Sequence, residues 1–163
     1  MAAATAALAN DGRLMVPHVV AARIQPGGEP EPIAPRLVRQ VVTPGTARAV
    51  RAMLAEVVSG RVTQAAVPGY SVGGKTGTSQ IAEGGVYATD GTIASFAGFA
   101  PVSAPRIAGV AVVNDPSNGE YYGGPVAAPL FSAVMSGAMR LMNVAPDNYQ
   151  RMVASNDSAG GGQ

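Results

Sequence analysis

Lys75, Thr76, Gly77 and Thr78 stand in a row within "PGYSVGGKTGTSQ", residues 68–80, and their types suit a reaction. A cation and two hydroxyls can hold a carboxylate, and a residue without a side chain lets a ligand approach the backbone. The same stretch also spells G-x-x-x-x-G-K-T from Gly69 to Thr76, the letters of a phosphate-cradling loop. That loop needs a strand running into its glycines and a helix directly after the Lys-Thr pair. Here Pro68-Gly69 breaks the chain at the first glycine, and "GTSQIAEGGVYATDGT" after Thr76 has no helical period. Asp115, closing "VAVVND", could pose as the acidic strand end of a nucleotide site. Pro116 follows it, however, and the neighbouring strands read as antiparallel.

The better reading is a strand. Along a strand side chains alternate, so Lys75 and Gly77 share one face and Thr76 and Thr78 the other. Gly73, Gly74 and Gly77 weaken such a strand unless something approaches its backbone closely. An extended, acidic ligand pairing with the strand edge would do so. The plainer alternative is a surface turn whose lysine does nothing. Against it, Lys75 is the single lysine beside ten arginines, so it is not drawn from a lysine-rich surface.

The elements that must hold this strand are readable. Ala2 to Ala9 is helical, stopped by Asn10-Asp11-Gly12. Leu14 to Ile24 is mixed, a short strand or extended link, and "QPGGEPEPIAP" is a loop. Thr43-Pro44 opens a second helix, with Thr43 as cap and Pro44 where a missing N–H does no harm. Val50, Met53, Leu54 and Val57 give that helix one apolar face, and Ser59-Gly60 ends it. Ile93 to Val102 and Arg106 to Asp115 are two apolar runs joined by a short Pro-containing link, a hairpin signal. Gly123-Gly124-Pro125 opens a long helix to about Met142. The order predicts an α+β fold, an antiparallel sheet flanked by helices. Residues 1–146 form its body, and 147–163 are expected to be a largely disordered tail.

Composition excludes several classes. Of 163 residues 47% are apolar and 13% charged, which supports a packed core, and the net charge of +1 with no basic run argues against nucleic-acid binding. With no cysteine and one histidine, His18, neither a thiolate nor a histidine metal cluster can form, and no cofactor is expected. No secretory leader is visible in "MAAATAALANDG". Tyr121 to Met139 is uncharged for 19 residues, near membrane-spanning length, but two prolines and three glycines favour a buried helix of the body.

"GGKTGTSQ", then "FAGFAP…PRIAGVAVVNDP", then "YYGGPVAAPLFSAVM" closely resembles the C-terminal part of class B penicillin-binding proteins. Within that family the division-specific peptidoglycan D,D-transpeptidases match best, and "ALANDGRLMVPHVV" extends the likeness to the start of the chain. The loop "SGRVTQAAVPGY" is less glycine-rich than the family pattern. The resemblance implies part of a β-lactamase-like serine-transpeptidase fold. It implies a periplasmic enzyme at the inner membrane that cross-links D-Ala-D-Ala stem peptides and binds β-lactams. Its partners would be the missing N-terminal part of the same enzyme and, through the whole enzyme, divisome proteins. By the same resemblance Lys75 supplies positive charge, and the hydroxyls of Thr76 and Thr78 bind the substrate carboxylate. The backbone N–H of Thr78 is an oxyanion donor, and Gly77 leaves room for the acyl group. Tyr121 and Tyr122 stand near the cleft, with Tyr87 as a further cap.

Two motifs of that family are not in this sequence. S-x-x-K needs a serine three residues before a lysine, and Val72 stands there before Lys75. S-x-N fails as well, since the residues two before the six asparagines are Leu8, Val112, Pro116, Leu141, Pro146 and Ala154. The uncapped first helix and these absences lead us to expect a truncated or split gene, or a cut piece. The chain alone is expected to be inactive. The alternative reading is a non-catalytic module that binds peptidoglycan peptide or a division partner. The sheet should also leave apolar residues such as Val72 and Ile93 uncovered.

Overall fold

The computed structural model describes residues 1–84, 86–117 and 119–148, without the side chains of residues 83 and 86–90. Helix α1, Ala2–Ala9, ends as its sequence predicts, with Asp11 at φ 50° and Gly12 at φ 80° turning the chain. The Arg51 guanidinium, from the next helix, donates to the carbonyl of Ala9 at 3.2 Å and to Asp11 Oδ1 at 2.9 Å. A cation thus satisfies the free carbonyl end of α1.

Residues 13–40 form an arm of short antiparallel pairs. Strand β1 (Arg13–Met15) pairs with β4 (Leu37–Gln40), and β2 (Ala22–Arg23) with β3 (Glu31–Pro32). Helix α2, Pro44–Gly60, starts as expected: Thr43 Oγ1 accepts the Thr46 N–H at 3.1 Å. Its buried line runs through Ala47, half-buried Leu54 and Val58. Met53, expected on that face, is 66% exposed. It lies about 100° round the helix from Leu54, too far to share the narrow contact. A 3-10 turn, Thr63–Ala65, and the Val67–Tyr70 turn with Gly69 at φ 83° then lead into the main sheet.

That sheet has the order β5-β6-β7, all antiparallel: β5 is Gly73–Glu83, β6 Val86–Ala100 and β7 Ile107–Asn114. The expected hairpin is therefore present, and β5 runs straight through the Lys-Thr pair with no helix after it. This geometry removes the phosphate-loop reading. Helix α3, Gly123–Leu141, lies across all three strands, with α1 on β6 and β7 and α2 on β5. No described helix is long and apolar enough to cross a membrane.

The core lies between α3 and one face of the sheet. Phe96 packs tilted against Phe131 with ring centroids 4.8 Å apart, among Val58, Val67, Val72, Ala111 and Met135. Phe99, of opposite parity, is fully buried on the other face, so both faces are covered. Val72, expected to be uncovered, is instead buried in the main core, where Val58 and Val67 pack with it. Ile93 is half-buried.

The expected tail begins on the body. Asp147 accepts the Ser71 N–H at 2.7 Å, the Ser103 hydroxyl at 2.5 Å and the Ser71 hydroxyl. The Tyr70 hydroxyl also donates to the Val144 carbonyl at 2.6 Å, and the Asn148 N–H to the Gly69 carbonyl at 3.1 Å. Residues 149–163, the rest of the expected tail, lie outside the described residues.

Candidate active site

Register decides which backbone groups β5 offers. The Asp115 N–H donates to the Thr92 carbonyl at 2.8 Å, so the pair Thr92–Asp115 is hydrogen-bonded. From there to Ala100–Ile107 the β6–β7 register runs without a shift. Even-numbered residues of β6 therefore bond to β7, and odd-numbered ones bond to β5. On β5 the partners of Ile93, Ser95, Ala97 and Phe99 are Ser79, Gly77, Lys75 and Gly73, again without a shift as far as Gln80. Hence Gly74, Thr76, Thr78 and Gln80 turn their N–H and C=O groups to the free outer edge.

Lys75 confirms this parity. Its Nζ donates to the Thr76 carbonyl at 3.1 Å, which it can reach only because that carbonyl points away from β6. It also lies 3.2 Å from Thr76 Oγ1. The lysine leaves the sheet on the face opposite Thr76 and curls over the edge to meet it. Cation, hydroxyl and free carbonyl thus gather on one exposed rim.

Two features fix this edge in place. Gly73 and Gly74 lie flat under Phe99 and Phe96, and a β-carbon on Gly73 would sit 2.7 Å from the Phe99 ring. The second is the start of α3. Gly123 rests on the strand so closely that a β-carbon there would lie 2.7 Å from the Gly77 carbonyl oxygen. From that position the Gly123 N–H donates to Thr78 Oγ1 at 3.2 Å. No side chain caps α3, so the positive end of its dipole faces the threonines and favours an anion there. Gly77 faces Ser95, whose hydroxyl donates to the Gly77 carbonyl at 3.3 Å.

Thr78 opens onto a cleft of about 490 Å³ that also touches Ser79, Gln80, Thr92, Asp115 and Tyr121. Gln80, Thr92 and Asp115 are cross-strand partners and form a polar row on the α3 face of the sheet. The Tyr121 hydroxyl donates to that of Tyr122 at 3.1 Å, and the rings stack with centroids 4.3 Å apart. That donated bond holds the Tyr121 phenol above its ordinary pKa, with the Tyr122 charge adding to it.

The structure thus brings Lys75, Thr76 and Thr78 to one edge and places Tyr121 across the cleft from Thr78. Gly77 lies behind that edge, and Tyr122 meets the cleft through Tyr121. The Tyr87 side chain lies outside the described residues. Sequence reasoning missed Gln80, Thr92 and Asp115 as neighbours of the site. Their meeting depends on register, which no local pattern encodes; only the alternation of "GTSQ" pointed to Gln80 sharing a face with Thr78.

Residues 1–136 match the family described as the penicillin binding protein transpeptidase domain. The chain is 38% identical over 152 residues to a probable peptidoglycan D,D-transpeptidase, PbpC, of Pseudomonas aeruginosa, covering 92% of this chain and 25% of the relative. It is 49% identical over 85 residues to the peptidoglycan D,D-transpeptidase FtsI of Escherichia coli, covering 52% of this chain and 14% of that protein. Among solved structures, the apo transpeptidase domain of penicillin-binding protein 3 from Burkholderia pseudomallei superposes with a TM-score of 0.69 at 42% identity. It covers 90% of this chain and 42% of that one. The ampicillin complex of penicillin-binding protein 3 from a Mycobacterium superposes with a TM-score of 0.75 at 33% identity, covering 89% and 34%. The chain spans 24–34% of the length of the first curated relatives it matches.

Proposed function

The chain belongs to the penicillin-binding protein transpeptidase domain family, and from that premise we propose that it forms the carboxylate-binding and oxyanion side of a peptidoglycan D,D-transpeptidase site. The observation that carries this is the outward parity of Thr78 beside the Lys75 and Thr76 rim. A peptide ending in D-Ala-D-Ala, or a β-lactam, lies along the β5 edge. Its carboxylate meets the Thr76 and Thr78 hydroxyls near the Lys75 ammonium and the start of α3. Its scissile carbonyl oxygen points at the Thr78 N–H.

In the reaction a serine oxygen bonds to the carbonyl carbon, and the C–N bond to the terminal D-Ala breaks. The amine leaves with the proton that the serine gave up. As the oxygen gains charge, the Thr78 N–H stabilises it, a contribution worth roughly 3–4 kcal/mol where such a donor has been removed. The nucleophile is none of the ten serines here, since no serine has a lysine three residues on. The residues carrying it belong to a part of the site that these 163 residues do not supply. In the complete enzyme, at the periplasmic face of the inner membrane, this activity serves cell division with divisome partners.

The missing S-x-x-K and S-x-N spacings favour one further reading, a module that binds peptidoglycan peptide without turnover. Intact-mass spectrometry of the chain with a labelled penicillin tests the assignment of roles. We expect no covalent adduct. A stoichiometric penicilloyl mass on this chain would overturn the claim that the nucleophile lies elsewhere. A complete transpeptidase carrying this segment separates the two readings: acylation of it supports the catalytic one, and binding without acylation supports the module.

A further inference from the structure

One polar side chain, that of Ser95, interrupts the apolar run of residues 93–100 in β6. Its hydroxyl is half-buried and lies 3.3 Å from the Gly77 carbonyl oxygen. A carbonyl only accepts, so the serine donates. By register Gly77 and Ser95 are also a hydrogen-bonded pair of the β5–β6 ladder. The Gly77 carbonyl therefore receives two donors from one residue, the Ser95 N–H and the Ser95 hydroxyl. Of the β5 carbonyls that face β6, it alone takes a side-chain donor among the described residues. The glycine makes room for this bond, because a β-carbon on Gly77 would sit 2.6 Å from Ser95 Oγ. From the other face the start of α3 closes on the same place. A β-carbon on Gly123 would press on the carbonyl oxygens of both Ser95 and Gly77.

The peptide that carries this carbonyl also carries the Thr78 N–H. It lies across the strand, with its oxygen turned in to β6 and its hydrogen turned out to the ligand edge. We propose, resting on the oxyanion role given above to the Thr78 N–H, that Ser95 is a positioning residue for the acylation step. By donating to the Gly77 carbonyl it holds the plane of this peptide and strengthens its N–H as a donor. The link is amide resonance. A donor at the oxygen draws electron density from the nitrogen and leaves the hydrogen at the far end more positive. Such coupling strengthens a hydrogen bond by about 10–30%. Applied to an oxyanion donor whose loss costs roughly 10²–10³ in rate, it amounts to a factor of roughly 2–8. The gain grows with the charge on the reacting oxygen, so it falls on the acylation rate and not on initial binding.

In a complete transpeptidase carrying this segment, Ser95→Ala removes the hydroxyl and leaves the ladder bonds in place. Stopped-flow acylation by a penicillin at rising concentration separates the binding constant from the acylation rate. The rate should fall roughly 2–8-fold with the binding constant unchanged. In the acyl-enzyme the ester carbonyl occupies the oxyanion site. Its infrared stretch, picked out with a ¹³C label, should move to higher frequency as the Thr78 N–H weakens. Ser95→Thr keeps the hydroxyl on a residue that suits a strand and should restore both readings. If Ser95→Ala fails to fold, Ser95→Cys supplies the test, since it is close in shape and only a weak donor. A folded variant without the hydroxyl that acylates at the parent rate, or leaves the carbonyl frequency unmoved, overturns the proposal. So does a loss seen in binding alone, or one that Ser95→Thr shares. Lys75→Ala runs beside it. If that variant is slow and Ser95→Ala is not, the role of Ser95 alone falls. If both match the parent, the placement of the site on β5 falls with it.

Discussion

β5 and β7 are the outer strands of one sheet, and β6 sets the parity of both. On each, alternate residues offer free N–H and C=O groups. What differs is everything around those groups. At β5 the edge carries a cation, two hydroxyls and the uncapped start of α3, and glycines pressed under Phe96 and Phe99 hold it down. At β7 it carries Ala, Val and Asn, with Leu130 and Val134 alongside. The lesson is that backbone pairing alone makes a strand edge receptive. Side chains then decide whether it can hold a charged peptide end.

The strongest way to break the contrast is to remove the cation. In a complete transpeptidase carrying this segment, Lys75→Ala should lower penicillin acylation by roughly 10²–10⁴-fold, the range for losing a charge-stabilising or proton-transfer partner. Stopped-flow acylation kinetics measure it, and unchanged kinetics would reduce Lys75 to a surface residue.

A smaller effect tests how β5 is held. Gly73→Ala drives a methyl group into the Phe99 ring and should cost about 1–3 kcal/mol, the range for overpacking. Urea denaturation reads this directly. Gly124→Ala is the control, because nothing lies near a β-carbon there.

The smallest effect is a pH dependence. Partial burial pushes the Asp147 carboxyl up, but hydrogen bonds from Ser103 and Ser71 outweigh it and hold the pKa below the ordinary carboxylate value. A group held low when folded contributes stability that is complete above its unfolded pKa, about 4. That contribution drains away as pH falls through the folded value. Ser71 leads into β5 and Ser103 lies in the turn between β6 and β7, so acid should loosen this end of the sheet. Melting temperature between about pH 5 and 3 should fall less for Asp147→Asn than for the parent. Parallel curves would remove Asp147 from the account.

Much of this was legible in the sequence because it is local. Thr43-Pro44 caps a helix by its own atoms, Asn10-Asp11-Gly12 stops one, and the two apolar runs beside "SAP" are joined by a link short enough for a hairpin. K-T-G-T read as a strand for the same reason. What failed was long-range. Met53 carries the right residue type for an apolar face, but the neighbours of α2 chose the line through Ala47 and Val58. Val72 was expected in solvent because strand count, not packing, set that expectation. Asp147 was assigned to a tail by composition, and its serine partners lie more than forty residues away in the sequence. The row Gln80, Thr92, Asp115 exists only once three strands are in register.

The most direct test of the β5 edge is amide chemical-shift mapping of the ¹⁵N-labelled chain with an N-acylated D-Ala-D-Ala dipeptide. Binding should be weak, roughly millimolar, since ordering costs consume most of the contact energy. The largest shifts should fall on Thr76, Thr78 and Gly123, with smaller ones at Gly77 and Ser79, whose amides are spent on β6. Absence of shifts at saturating dipeptide, or shifts centred on Val110 and Val112, would contradict the account.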